Sequence, residues 1–85
     1  MPYYTYILFS EKINRYYIGS TQNIEQRIIR HNAGATKSTK PGRPWNLVYS
    51  KKFDSKTEAI KRENYLKRMK SRTFIELLIQ NSSQE

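Results

Sequence analysis

The sequence predicts one small α/β domain whose elements follow the order strand, strand, helix, strand, helix, helix. Three observations carry this. With 85 residues there is room for one core and no second. The chain opens with two runs of aromatic and β-branched residues on either side of a short polar turn, the pattern of a hairpin. Two helix starts then stand out, an Asn or Ser followed three residues later by Gln or Glu.

Tyr3 to Phe9 is the first strand. Alternation places Tyr4, Tyr6 and Leu8 on one face and Tyr3, Thr5, Ile7 and Phe9 on the other. Ser10 to Arg15 is polar and reads as the turn. Tyr16 to Thr21 is the second strand, with Tyr17 and Gly19 sharing a face. A turn near Glu11 and Lys12 would set Tyr6 opposite Tyr17, with their rings on one face. Gly19 weakens a strand unless something approaches its backbone, either a phosphate or a neighbouring ring. Asn23 caps a helix with Gln26 in the reciprocal position, and Gly34 stops it. Ile24 and Ile28 form its buried stripe. His31 falls close to them on the helical wheel, and Arg27 lies about 60° to one side of Ile24. Both therefore border the core. Residues 35–44, ATKSTKPGRP, form a loop, expected as a mobile arm that meets phosphate through Lys37, Lys40 and Arg43. Trp45 to Phe53 is the third strand.

Ser55 and Glu58 open a second helix, which runs to about Lys70 with Ala59, Ile60, Leu66 and Met69 as its apolar stripe. Glu63 falls inside that stripe, about 40° from Ala59. A carboxylate there requires a cation partner, and Lys67 at i+4 is available. Phe74 to Ile79 forms a last short helix. The domain is expected to occupy residues 1–80, with 81–85 as a disordered tail.

Sixteen Lys and Arg against seven Asp and Glu give a net charge of +9, which favours a polyanionic partner, above all nucleic acid. The absence of cysteine excludes disulfides and thiolate metal sites. The N-terminus lacks the features of a signal peptide, and no apolar run approaches bilayer length, so a cytoplasmic protein without a membrane partner is expected.

The residues available for chemistry are few. The single Asp, Asp54, sits at a helix start, and His31 is the only histidine. That excludes a Ser–His–Asp arrangement and a paired-histidine metal motif. Tyr6, Tyr17, Arg27, His31 and Glu63 remain, a set suited to phosphodiester hydrolysis. A lone carboxylate holds Mg²⁺ (or Mn²⁺) that keeps most of its waters. An arginine matches charge developing on the phosphoryl group. A tyrosine orients the attacking water or removes its proton.

Thr5-Tyr6-Ile7 followed by Tyr17-Ile18-Gly19 resembles the paired motif of the GIY-YIG nuclease domain. The first motif departs from the family letters, with Thr5 for Gly and Ile7 for Tyr, and the second is intact. A helix with Arg27 and His31, a third strand, and a helix with Glu63 then follow in the family's order. The chain looks most like the small stand-alone bacterial members. The resemblance implies a sandwich with a three-stranded antiparallel sheet between helices. It implies Glu63 as metal ligand, Arg27 as transition-state stabiliser, Tyr6 and Tyr17 lining the site with one handling the water, and His31 assisting or positioning phosphate. The expected function is a Mg²⁺-dependent endonuclease, a hydrolase acting on DNA by structure rather than sequence, in repair or recombination. The alternatives are a non-catalytic nucleic-acid-binding module of the same fold and a small interaction protein docking through its tyrosines.

Overall fold

The computed structural model describes residues 2–82. Strands β1 (Tyr3–Ser10) and β2 (Arg15–Thr21) lead into helix α1 (Ile24–Asn32). A single 3-10 turn (Lys40–Gly42) precedes strand β3 (Asn46–Phe53), and helices α2 (Lys56–Met69) and α3 (Arg72–Ser82) complete the fold. The sheet has the order β2-β1-β3, antiparallel throughout, as expected.

β1 is central because its residues are the ones that need covering on both sides. Thr5, Tyr6, Ile7 and Leu8 are all buried. Successive side chains leave opposite faces of a strand. Tyr6 and Leu8 therefore pack with Trp45, Tyr17, Ile24 and Ile28 on the α1 side. Ile7 packs with Tyr49, Leu66 and Ile75 on the α2 and α3 side. The outcome is two thin cores, one on each face of a single sheet. Two buried hydroxyls fasten the covering layers to β1: Thr5 Oγ1 donates to the Ala59 carbonyl at 2.7 Å and Ser10 Oγ to the Gly42 carbonyl at 2.6 Å. Each bond satisfies a buried polar group that would otherwise cost free energy.

The helix signals hold. Asn23 accepts from the Gln26 amide at 3.0 Å, and Ser55 accepts from the Glu58 amide at 3.2 Å. Gly34 takes the left-handed conformation, φ 79°, that ends α1. A cap passed over in the sequence, Ser71, accepts from the Phe74 amide at 3.1 Å and starts α3 two residues before the expected Phe74.

Four expectations are corrected. The hairpin pairs Ser10 with Arg15, so its connection is Glu11 to Asn14, with Asn14 at φ 54°. Tyr6 therefore stands opposite Gly19, and Tyr17 opposite Leu8. That is a slip of two residues, which preserves the face. Asn81 and Ser82, expected in a disordered tail, belong to α3; the rest of that tail lies outside the described residues. Met69 is 41% exposed and stands off the stripe, whereas Leu66 is 1% exposed. The 35–44 loop is fastened rather than mobile: Thr39 is buried, and Trp45 Nε1 donates to its carbonyl at 2.7 Å.

Leu66→Ala is expected to cost about 2–5 kcal/mol, since it empties part of the core. Met69→Ala should change stability by no more than about 0.5 kcal/mol. Urea denaturation of both variants checks this, and equal losses would show that Met69 belongs to the core.

Candidate active site

The site is built around the ring of Tyr6. A Cβ placed on Gly19 would lie 2.6 Å from the Tyr6 hydroxyl oxygen and 2.7 Å from Cζ. The glycine is therefore where the sheet lets a buried ring end against its neighbour's backbone. Of the two purposes expected for Gly19, the ring is the one observed.

A buried phenol needs a partner. Tyr6 and His31 are each 1% exposed, and the Tyr6 hydroxyl lies 3.2 Å from His31 Nε2. The other ring nitrogen, Nδ1, is 2.9 Å from Thr39 Oγ1, and Thr39 Oγ1 donates to the Thr36 carbonyl at 3.3 Å. The direction of the chain follows from its end. Thr39 spends its proton on the carbonyl, so it accepts from Nδ1–H. Nε2 is then bare and accepts from Tyr6 O–H. Burial holds the His31 pKa below its ordinary value, with the charges of Arg27 and Arg30 acting in the same direction. The neutral ring this chain requires is thus the favoured one. The Tyr6 pKa is pushed up to about 12, by burial first and by Tyr17 next, against the lowering effect of Arg27. Tyr6 is a phenol at neutral pH, with its proton directed at His31.

Arg27 sits half-buried beside Tyr6, and its charge is felt by the phenol. It also lines a polar hollow of about 390 Å³ at the head of α1, with Tyr3, Thr21 and Asn23. Tyr17 is half-buried too, edge-on to His31 at 4.9 Å between ring centroids and 6.3 Å from Tyr6. The two tyrosines meet on one face even though their register differs from the expected one.

Glu63 reaches the site from the other side of the sheet. Ser20 follows Gly19 and so points to the α2 face. Its hydroxyl donates to Glu63 Oε1 at 2.6 Å. Lys67 Nζ bonds the second oxygen, Oε2, at 2.6 Å, with the Glu63 side chain 17% and the Lys67 side chain 51% exposed. Glu63 is close enough to Tyr6 to raise its pKa. The site therefore wraps around edge strand β2 at two adjacent residues, with Tyr6 against Gly19 and Glu63 against Ser20. The sequence signalled Lys67 and missed Ser20. Period-two alternation set Ser20 opposite Gly19, but only the docking of α2 gives its hydroxyl a carboxylate.

His31 sits differently from its expected role beside phosphate. Both ring nitrogens are engaged inside the fold, so it holds Tyr6 rather than facing solvent. The loop cations are divided. Lys37 and Lys40 are exposed, while Arg43 Nε donates to the Lys40 carbonyl at 3.1 Å. Among the described residues no three His, Asp or Glu side chains cluster as a ready metal cage. Any cation here would rely on Glu63 as its one carboxylate.

The lowered His31 pKa fixes the sign of a pH effect. Below the ordinary value of 6.5, the unfolded chain takes up a proton that the folded ring resists. This contribution to stability is complete above that value and is lost as pH falls below it. Denaturation midpoints measured from pH about 7.5 to about 5 should fall more steeply for the wild type than for His31→Gln. Parallel curves would mean that His31 does not couple to folding.

Comparison with known proteins agrees with this fold. The profile of the GIY-YIG catalytic domain matches residues 2–75. A UPF0213 protein of Staphylococcus haemolyticus is 48% identical over 66 residues, 76% of this chain and 79% of that protein. One from Clostridium perfringens is 39% identical over 83 residues, 96% of this chain and 88% of that protein. The solution NMR structure of a UPF0213 protein from Bacillus halodurans superposes with a TM-score of 0.59 at 34% identity, covering 94% of this chain and 84% of that one. A profile that takes in all three strands, α1, α2 and the start of α3, with relatives alike along most of their length, leaves one assignment: the chain belongs to the GIY-YIG family.

Proposed function

We propose that this domain is a divalent-metal-dependent endonuclease that hydrolyses phosphodiester bonds in DNA, selecting by structure rather than sequence and serving repair or recombination. One observation carries the proposal: the Tyr6–His31–Arg27 group and the Glu63 carboxylate meet across the single Gly19–Ser20 step of an edge strand. The family's catalytic domain makes nuclease chemistry the natural use of that meeting.

The residues fit Mg²⁺ or Mn²⁺. Glu63 offers one oxygen fixed by Ser20 and a second that already attracts a cation, the exposed ammonium of Lys67. A lone carboxylate suits an ion that keeps most of its waters and takes further oxygens from substrate phosphate. When bound, such an ion supplies Lewis-acid stabilisation of the leaving oxygen. The protein supplies the rest. Arg27, with no carboxylate partner among the described residues, is free to meet charge growing on the phosphoryl oxygens. Tyr6 is held as a phenol and orders the site from beneath. Tyr17, the more open of the two, orients the attacking water. His31 sets the Tyr6 hydroxyl from behind and does not touch substrate. Selection rests on DNA shape.

A second reading also has an observation behind it. Lys67 holds the carboxylate oxygen that a metal would need, which suits a non-catalytic nucleic-acid-binding module. Cleavage assays separate the two. Wild type, Glu63→Ala and Arg27→Ala would be compared on flap, branched, single-stranded and linear DNA, with Mg²⁺ and with chelator. The nuclease reading expects metal-dependent cutting by wild type, none by Glu63→Ala, and a loss of about 10²–10³ for Arg27→Ala. Binding with no cutting under any condition would favour the second reading.

Lys67→Met removes the competing cation. It is expected to lower the Mg²⁺ concentration needed for half-maximal cleavage. The same change should appear as tighter Mn²⁺ binding in paramagnetic relaxation, without any substrate. An unchanged metal requirement would show that Lys67 does not compete for the carboxylate.

A further inference from the structure

Two hollows open along the α2 side of the β2 edge, and they join. One, of about 720 Å³, is lined by Lys61, Asn64, Lys67, Arg68 and Lys70. The other, of about 390 Å³, runs from Lys67 and Lys70 to Tyr16, Tyr17 and Ile18 on β2. Lys67 and Lys70 line both, so the surface is continuous from the middle of α2 to the strand that carries the site. No Asp or Glu lines either hollow.

Apart from Lys67, paired with Glu63, and Arg72, the fold does not use the cations along this surface. Lys61, Arg68 and Lys70 are exposed and make no hydrogen bond or ion pair among the described residues. Nearby cations are committed by contrast. Arg72 bonds Asn14 and Glu76 and lies 5.2 Å from the Tyr16 ring centroid. Arg62 stacks on Tyr65 at 5.3 Å. Attraction to the negative end of the helix dipole accounts for cations in the last turn, Lys67 and Arg68. It does not account for Lys61 in the middle of the helix. On the wheel, Glu63, Lys67, Asn64, Arg68 and Lys61 succeed one another over about 160°. The arc starts at the candidate metal ligand and climbs onto the open face. Lys61 and Lys70 are about 13 Å apart along the axis, close to four base steps of duplex at about 3.4 Å each.

We infer that this face of α2 is the track for the DNA backbone, with Lys61, Arg68 and Lys70 against successive phosphates and Lys67 the last cation before the reacting one. The inference rests on the nuclease reading and adds to it the path by which the strand reaches Glu63. It moves the main phosphate contact from the 35–44 loop, where the sequence pointed, to the second helix. Contacts of this kind position the strand and carry no sequence information.

The test is binding, measured in chelator so that nothing is cut. Fluorescence anisotropy with a labelled 20-base-pair duplex is followed across a salt series for three proteins. They are the wild type, the triple variant Lys61→Gln/Arg68→Gln/Lys70→Gln, and a control triple of equal charge change, Lys37→Gln/Lys40→Gln/Lys56→Gln. Thermal melts confirm that all three are folded. The slope of log affinity against log salt should flatten by about 2–3 for the α2 triple, near 0.9 for each lost contact. Its affinity near physiological salt should fall by about tenfold or more, with the control losing much less. Equal losses in the two triples, or a larger loss in the control, would overturn the track while leaving the nuclease reading standing. A wild type that binds no DNA would overturn both.

Discussion

A single missing methyl group organises much of this domain. The ring of Tyr6 ends where a side chain on Gly19 would stand, 2.6 Å from the position of its Cβ. Because that space is empty, the central strand can carry a full tyrosine inward on its α1 face. The rest follows from satisfying that tyrosine. Its hydroxyl is sealed from water and must be paired. The pair is His31, itself sealed, whose second nitrogen must also be paired. Thr39 does this, and Thr39 is held in turn by its own bond to Thr36 and by Trp45 on its carbonyl. One close approach in the sheet thus propagates through α1 and fixes a ten-residue connection that looks unstructured in the sequence. An alanine at Gly19 would press on the Tyr6 ring and strain the chain at its first link.

How much of this was legible depends on the range of each interaction. Caps are local, so Asn23, Ser55 and Gly34 could be read from neighbours three or four residues away. Strand faces are local as well, since alternation needs no partner. Register is not local. The Tyr6–Tyr17 pairing assumed a tight turn, and the four-residue connection with a left-handed Asn14 displaced it by one full period. The rings stayed together only because an even slip keeps the face. His31 shows a different limit. Its position on the wheel, near Ile24 and Ile28, already indicated burial. The family resemblance suggested a contact with phosphate, which needs solvent. The structure favours the wheel. Ser20 could not have been found, because its partner lies 43 residues away on another element.

The two faces of the sheet divide the labour. The α1 face holds a network whose members are sealed, directional and neutral. A buried network of this kind is rigid because every donor has an acceptor. The α2 face holds Glu63, an ion bounded by Ser20 on one side and by an exposed ammonium on the other. Burying a carboxylate fully would cost several kcal/mol or shift its protonation. At 17% exposure, Glu63 is bonded by the Ser20 hydroxyl on one oxygen and by the Lys67 ammonium on the other. Edge strand β2 is what brings the two together. A central strand, paired on both sides, could not place a ring on one face and a carboxylate on the other with an open flank between them.

The pairing of Lys67 with Glu63 is better understood as exchangeable than as structural. Exposed i,i+4 ion pairs contribute only about 0.3–0.5 kcal/mol, and half of the Lys67 side chain is in solvent. The carboxylate does not depend on that pair for its position, because Ser20 fixes the other oxygen and the helix fixes the backbone. Releasing Lys67 therefore costs little, and two attractions compete to release it. A doubly charged ion interacts with the carboxylate about twice as strongly as an ammonium at the same distance. A phosphate arriving along α2 offers Lys67 a new counter-charge. On the proposed nuclease reading the two exchanges would be complementary, the carboxylate passing to the metal as the lysine passes to the backbone. On that reading, a protein of net charge +9 gains by keeping the Glu63 carboxylate paired until a polyanion arrives. On the proposed nuclease reading, the lysine that looks like an obstacle to metal binding would then be the means by which metal and DNA are loaded together.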